Sequence, residues 1–257
     1  MPHLPAKIIK THYSKVAQSI LKTRMFSPTG KTIQTIFRKG KLLDFVFADN
    51  THMISGLGMS GGWRFATSPI TEKHTHIQFS CENRLGRIYF AYVDPRRFGN
   101  CHFVDAAAAE QILNRLGSDI SSPDFTPAHV GRLCKKYPNR EIKPFLLDQS
   151  HFAGIGNYIA CEVLAHGHIH PGRLAGSLSG AEHRRLVHAV RLVLSGSLKK
   201  NGLTFSGGYT DATGKKGEAL SSLVVFHQNT CGLCKKTAVE KIVLKGRTTY
   251  FCPNCQH

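Results

Sequence analysis

The chain has 257 residues, of which 41% are hydrophobic and 19% charged, a balance that suits one large or two medium folded units and excludes a disordered chain. Lys and Arg number 34 against 16 Asp and Glu, a formal net charge of +18, which points to a polyanion such as nucleic acid unless the surface is merely basic. No run of roughly 18 apolar residues occurs, which excludes a membrane-spanning helix, and the start lacks the pattern of a secretory leader.

The chain opens MPHLPAKIIK, and a proline behind the initiator leads us to expect removal of Met1, with Pro2 left as a free secondary amine. Residues 6–23 place Ile8, Ile9, Tyr13, Val16, Ile20 and Leu21 at near-helical spacing and predict an amphipathic helix. From about 31 to 105 the runs KLLDFVFADNTHMISGLG, THIQFSC and RIYFAYVD alternate with Asn, Gly and Pro punctuation and predict antiparallel strands. AAAAEQILNRLG (106–117) predicts a helix stopped at Gly117, and SSPDFTP (121–127) reads as a linker. Beyond it AHVGRLCKKY, IKPFLLDQ, YIACEVLAHG and SGAEHRRLVHAVRLVLSGSLKK are helical in pattern, the last opened by a Ser179–Glu182 capping box. The polar, Gly-rich stretch 201–219 predicts a mobile loop. The outline is a β-rich domain over 1–117, a helical domain over 126–224 and a small appendage over 225–257.

Cys81, Cys101, Cys134 and Cys161 are scattered, whereas the other four cysteines cluster in the appendage, which fits a reducing compartment and one metal site. Cys231 and Cys234 form one CxxC, Cys252 and Cys255 a second, and VEKIVLKGRTTYF between them alternates like a β-hairpin. Paired thiolate knuckles suit a closed, structural, tetrahedral Zn2+ site, with an iron–sulfur cluster or unrelated cysteines as the alternatives. Arg247 near the hairpin tip is either an ordinary surface charge or an Arg that so short a hairpin presents to a DNA groove. FAGIGN (152–157) is a glycine turn opening a new helix, a geometry that turns backbone N–H groups toward a phosphate.

Taken in order, the Pro2 start, GLGMSG (56–61), DPRRFG (94–99), DQSHFAGIGN (148–157) followed by Glu162, and the finger ending CPNCQ resemble the bacterial formamidopyrimidine-DNA glycosylase and endonuclease VIII family over almost the whole chain. The resemblance implies an α+β fold: an N-terminal antiparallel β-sandwich domain and a C-terminal helix–two-turn–helix domain with a β-hairpin zinc finger. It implies one structural zinc, and an intracellular protein, cytoplasmic or associated with the bacterial nucleoid. It also implies a monomer that clamps double-stranded DNA at a damaged base or abasic site. Pro2 matches the family nucleophile, which attacks C1′ to form an iminium before β- and δ-elimination; an α-amino group has a pKa near about 8, so a useful fraction is neutral. Lys41 of FRKGKLLDF matches a phosphate-binding lysine beside the lesion. Met59, Arg96 and Phe98 match residues that fill the hole left by an everted nucleotide: apolar wedges replace stacking and the guanidinium bonds the orphaned base. Asn157 and Arg247 match DNA-binding positions, and Glu162 an acidic residue that orders the site.

One departure stands out. The family begins PELPE or PEGPE, whereas here His3 and Ala6 stand where it has glutamates, the first of which serves as proton donor. Base excision needs a general acid, whose contribution is typically about 10²–10⁴-fold. The reading favoured is therefore an abasic-site lyase, where C1′ is already an aldehyde. The alternatives are a full glycosylase with His3 as acid or base, and a non-catalytic lesion-binding protein. The loop over 205–219, expected to line the lesion pocket, shows no pattern that selects a purine or a pyrimidine.

Overall fold

The computed structural model describes residues 3–21, 26–203 and 210–257, which form two compact units: 1–114 with 201–218, and 115–200 with 219–257.

The first unit holds one eight-stranded antiparallel sheet. Its strands are β1 (Ala6–Tyr13), β2 (Thr32–Lys39), β3 (Leu42–Phe47), β4 (Thr51–Gly56), β5 (Gly62–Ala66), β6 (Thr75–Asn83), β7 (Gly86–Val93) and β8 (Asn100–Asp105). They run in the order β5-β7-β6-β1-β2-β3-β4-β8. Phe45 of β3 and Trp63 of β5 belong to distant strands of that order, yet their rings lie 4.7 Å apart. The sheet therefore folds over itself as a sandwich. Phe79 and Tyr92 complete the aromatic centre, 5.7 and 5.4 Å from Trp63. Helix α1 (Ala106–Asn114) follows β8 directly.

The helix predicted over 6–23 is not formed; Ala6–Tyr13 is a strand. Ile8 is fully buried and Ile9 is 41% exposed, the two-residue alternation of a pleated strand. Six residues of β1 pair with β6, and the β-branched pair suits that half-buried surface. Among the described residues of that span only the short turn Ala17–Ser19 is helical, of 3-10 type.

The second unit packs α2 (Pro127–Lys136), α3 (Ile142–Leu146), α4 (Asn157–His166) and α5 (Gly180–Lys199) around a core that includes Phe145, Phe152, Val163 and Val190. The short parallel strands β9 (Ser118–Asp119) and β10 (Phe152–Ala153) pair beside it. Ser179 and Glu182 form the predicted capping box at the start of α5, a device worth about 1 kcal/mol. The segment 121–127 is no linker: Phe125 is 1% exposed, and Thr126 caps α2 with Pro127 in its first turn.

The loop over 201–219 lies partly outside the described residues, at 204–209. Its described flanks bridge Leu203 to Glu218 and Thr210 to Lys216, and Phe65 N–H donates to the Ala212 carbonyl at 2.7 Å. Strands β11 (Glu240–Leu244) and β12 (Arg247–Phe251) form the predicted hairpin. Among the described residues no helix is long and apolar enough to cross a membrane.

Candidate functional site

In the sheet unit, two turns emerge side by side. GLGMSG joins β4 to β5 and DPRRFG joins β7 to β8, and the strands beneath them pair Gly56 with Asn100 and Gly62 with Val93. Pro95 and an Asp that bonds its own Arg96 N–H are the local reasons DPRRFG turns. The Asp94 carboxylate is fully buried and accepts from Ser60 Oγ at 2.6 Å and Gly99 N–H at 2.9 Å, tying the two turns together. Gly58 has φ +65°, and a Cβ there would lie 2.5 Å from the Phe98 carbonyl carbon, so the backbones touch where only glycine fits. The Tyr92 hydroxyl closes the base of the pair, within 3.4 Å of the Gly56 and Leu57 carbonyls.

On this rigid base the side chains point outward. Met59 is 56% and Phe98 57% exposed, and the Arg96 guanidinium lies 4.7 Å from the Phe98 ring centre, a cation–π contact. The structure thus brings Met59, Arg96 and Phe98 onto adjoining turns. Ser60 and Tyr92, which hold them there, were missed by sequence reasoning; Ser60 sits inside the quoted motif, but nothing local marks its partner.

Pro2 lies outside the described residues. The His3 ring packs tilted against Phe65 with ring centres 4.4 Å apart, and its Nδ1 is buried without a hydrogen-bond partner among the described residues. It lines an apolar cavity of about 420 Å3 together with Trp63, Phe65, Phe90 and Thr210. Ala6, 1% exposed, pairs with Ile33. Lys41 occupies the exposed turn between β2 and β3.

In the second unit, Asn157 opens α4 after the glycine turn. Its Nδ2 donates to the Thr248 carbonyl at 2.9 Å, and its Oδ1 accepts from Lys143 Nζ at 2.7 Å. Lys143, fully buried in α3, also donates to Thr249 Oγ1 at 2.8 Å, so one ammonium joins Asn157 to the finger strand that begins with Arg247. Burial, with the Arg247 guanidinium adding to it, holds the Lys143 ammonium below the usual lysine range. Sequence reading passed over Lys143, although a lysine inside IKPFLL is an anomaly in an apolar run. Glu162, 1% exposed, accepts the backbone N–H groups of Val224, Val225 and Phe226 at 2.8–2.9 Å. Burial raises its pKa and those three donors oppose the shift.

The four appendage cysteines bring their sulfurs within 4.8 Å of one another. Cys231–Cys255 and Cys234–Cys252 are 4.0 and 3.9 Å apart. That is far beyond a disulfide of about 2.05 Å, and close to the sulfur–sulfur edge of about 3.8 Å that a tetrahedron with Zn–S of about 2.3 Å requires. Backbone N–H groups of Lys236 and Thr237 bring Cys234 down to about 6, while burial and the neighbouring sulfurs push Cys255 up to about 12. Four crowded thiols of this kind become thiolates together only around a cation, and the set fits one zinc. Gln256 locks the finger in place: its Oε1 accepts Cys252 N–H and its Nε2 donates to the Ile169 carbonyl, both at 2.9 Å.

A folded-over antiparallel sheet, a helical unit with a glycine turn before α4 and a four-cysteine hairpin define the helix–two-turn–helix DNA glycosylase class. The formamidopyrimidine-DNA glycosylase N-terminal domain matches residues 5–101, and the H2TH domain of the same enzyme matches residues 116–207. The chain belongs to the formamidopyrimidine-DNA glycosylase family. It is 36% identical over 233 residues to the enzyme of that name from Shouchella clausii, covering 88% of this chain and 82% of the relative. It is 34% identical over 254 residues to the one from Herpetosiphon aurantiacus, covering 97% and 88%. The crystal structure of the MutM (Fpg) protein from Thermus thermophilus superposes with a TM-score of 0.84 at 32% identity, covering 99% of this chain and 93% of that one. The Lactococcus lactis Fpg complex with abasic-site DNA gives 0.85 at 29%, covering 99% and 94%.

Proposed function

We propose that the protein is a base-excision-repair enzyme that binds duplex DNA at an abasic or damaged nucleotide, extrudes that nucleotide and cuts the strand. The single observation that carries this reading is the exposed wedge of Met59 and Phe98 beside Arg96, held on two interlocked turns of a family member with charge +18. Exposed apolar side chains are costly in water and useful in a base stack, where they replace lost stacking while a guanidinium bonds the unpaired base. Lys41, Asn157 and Arg247 bind flanking phosphates, and Glu162 orders the segment from 224 to 226. The DNA substrate places the protein inside the cell.

In the chemical step Pro2, freed of Met1, attacks the C1′ aldehyde of an abasic site and water leaves, giving an iminium. Loss of a C2′ proton to a nearby acceptor then expels the 3′ phosphate by β-elimination, and δ-elimination follows. With His3 and Ala6 in place of glutamates, abasic sites are the main substrate, and excision of an intact damaged base is slow.

Borohydride trapping tests this. An adduct on an abasic duplex, located at Pro2 by mass spectrometry and weakened in Pro2→Gly, is the expected result. An adduct at a lysine would remove Pro2 from the mechanism. Adduct on duplexes with oxidised bases would show a full glycosylase, and His3→Glu should raise that activity. A second reading, a lesion-binding protein without lyase activity, is favoured by His3 and Ala6 standing where the family has glutamates; no adduct on any duplex, with abasic-site binding intact, would establish it.

A further inference from the structure

The ladder between β6 and β7 slips by one residue between Thr75 and Ile77: Thr75 faces Val93 and Ile77 faces Tyr92, so His76 is the extra residue of a bulge. Bulges re-aim side chains and recur beside functional turns. Here the bulge sends the His76 ring, 4% exposed, against the first residue of DPRRFG, with Nε2 3.0 Å from the Asp94 carbonyl oxygen. A carbonyl only accepts, so Nε2 carries a proton. In the neutral ring Nδ1 is then the acceptor, and Ser14 Oγ donates to it at 2.9 Å. Ser14 is itself fixed by its N–H on the His76 carbonyl at 2.9 Å. On the other side of the bulge, Asp94 N–H donates to the His74 carbonyl at 3.1 Å. Asp94 is thus gripped three ways: its carboxylate by Ser60 and Gly99, its N–H by His74, and its carbonyl by His76.

We infer that His76 is a positioning residue for lesion recognition: through the Asp94 carbonyl it sets the angle at which the turn presents Arg96 and Phe98 to the hole in the duplex. Ser14 acts one step further back, orienting the ring. The inference rests on the DNA-repair reading for the use of the turn, and on the bulge and its hydrogen bonds for the geometry. His76 is buried and Ser14 half-buried, and the effect proposed is on presentation of the wedge and not on proton transfer.

The test uses side chains that copy one ring nitrogen at a time. In His76→Gln the amide N–H reaches the Nε2 position and retains the bond to Asp94. In His76→Asn only the Nδ1 position is copied and the bond to Asp94 is lost, and His76→Phe keeps the shape without either. Binding is measured on a duplex with a tetrahydrofuran abasic analogue and on the intact duplex, with 2-aminopurine opposite the lesion as a reporter of wedge insertion. We expect His76→Gln to stay within about threefold of the wild type on the lesion duplex and to keep the 2-aminopurine signal. His76→Asn and His76→Phe should lose about tenfold or more and lose the signal, with intact-duplex binding unchanged. Ser14→Ala should fall between them. Equal behaviour of Gln and Asn, or an equal loss on both duplexes, overturns the inference, and the Gln–Asn comparison decides even if His76→Phe does not fold. A wild type that fails to distinguish the two duplexes overturns the function reading instead.

Discussion

Asp94→Ala is the most informative single change in the sheet unit. It deletes the acceptor for Ser60 Oγ at 2.6 Å and for Gly99 N–H at 2.9 Å; the contacts from Arg96 N–H and the Tyr92 hydroxyl, at 3.3 and 3.4 Å, are longer. Tyr92 keeps the Gly56 and Leu57 carbonyls as partners, and the exposed Arg96 N–H can turn to water. Gly99 N–H is buried and has no such recourse. One buried orphaned donor costs about 1–3 kcal/mol, and the lost charge-assisted bond from Ser60 about as much again, so about 2–6 kcal/mol should be lost. Asp94→Asn keeps one oxygen and should lose about half of that. Because the loss falls on two turns, it appears first as local opening, and affinity for an abasic duplex should drop by about thirtyfold or more. Anisotropy with a tetrahydrofuran duplex and the urea midpoint read the two effects. If Asp94→Ala matched the wild type in both, the carboxylate would not be what locks the turns together.

In Glu162→Gln the retained oxygen can serve only part of the three-donor cradle, and the new NH2 faces Val224 N–H; hydrogen exchange at Val224 should quicken by about tenfold, and unchanged exchange would contradict the cradle. Glu182, partly desolvated but held by Arg173 and Ser179, has its pKa lowered from 4.5 to about 2. A depressed carboxylate stabilises the fold above pH 4.5 and loses that contribution as pH falls toward 2, so acid titration should show a loss of up to about 3 kcal/mol that Glu182→Gln lacks. Metal analysis should find one zinc per chain. A chelator, or Cys252→Ser, should abolish abasic-duplex binding while leaving the sheet's circular dichroism, and binding that survives zinc removal would detach the finger from DNA recognition.

How much of this was legible in the sequence depends on the range of each interaction. The four cysteines and their hairpin, the Ser179 cap and the two glycine-bearing turns are written in local spacing. Strand β1 was misread because Ile8, Ile9 and Tyr13 fit a helical stripe as well as a strand; pairing with β6 decided between them, and that partner lies far along the chain. His76 was invisible because a one-residue slip in a ladder leaves no mark on composition. Lys143 was missed because its partners Asn157 and Thr249 come from a different helix and from the finger.

That buried lysine has an evolutionary corollary. All three oxygens around its ammonium are neutral, so the cation is kept for what it joins and not for charge balance. A family member that gave it up for a hydrocarbon would leave the Asn157 Oδ1 and the Thr249 Oγ1 each without this donor. Positions 143, 157 and 249 should therefore drift as a trio through descent, each tolerating change only when the other two change with it.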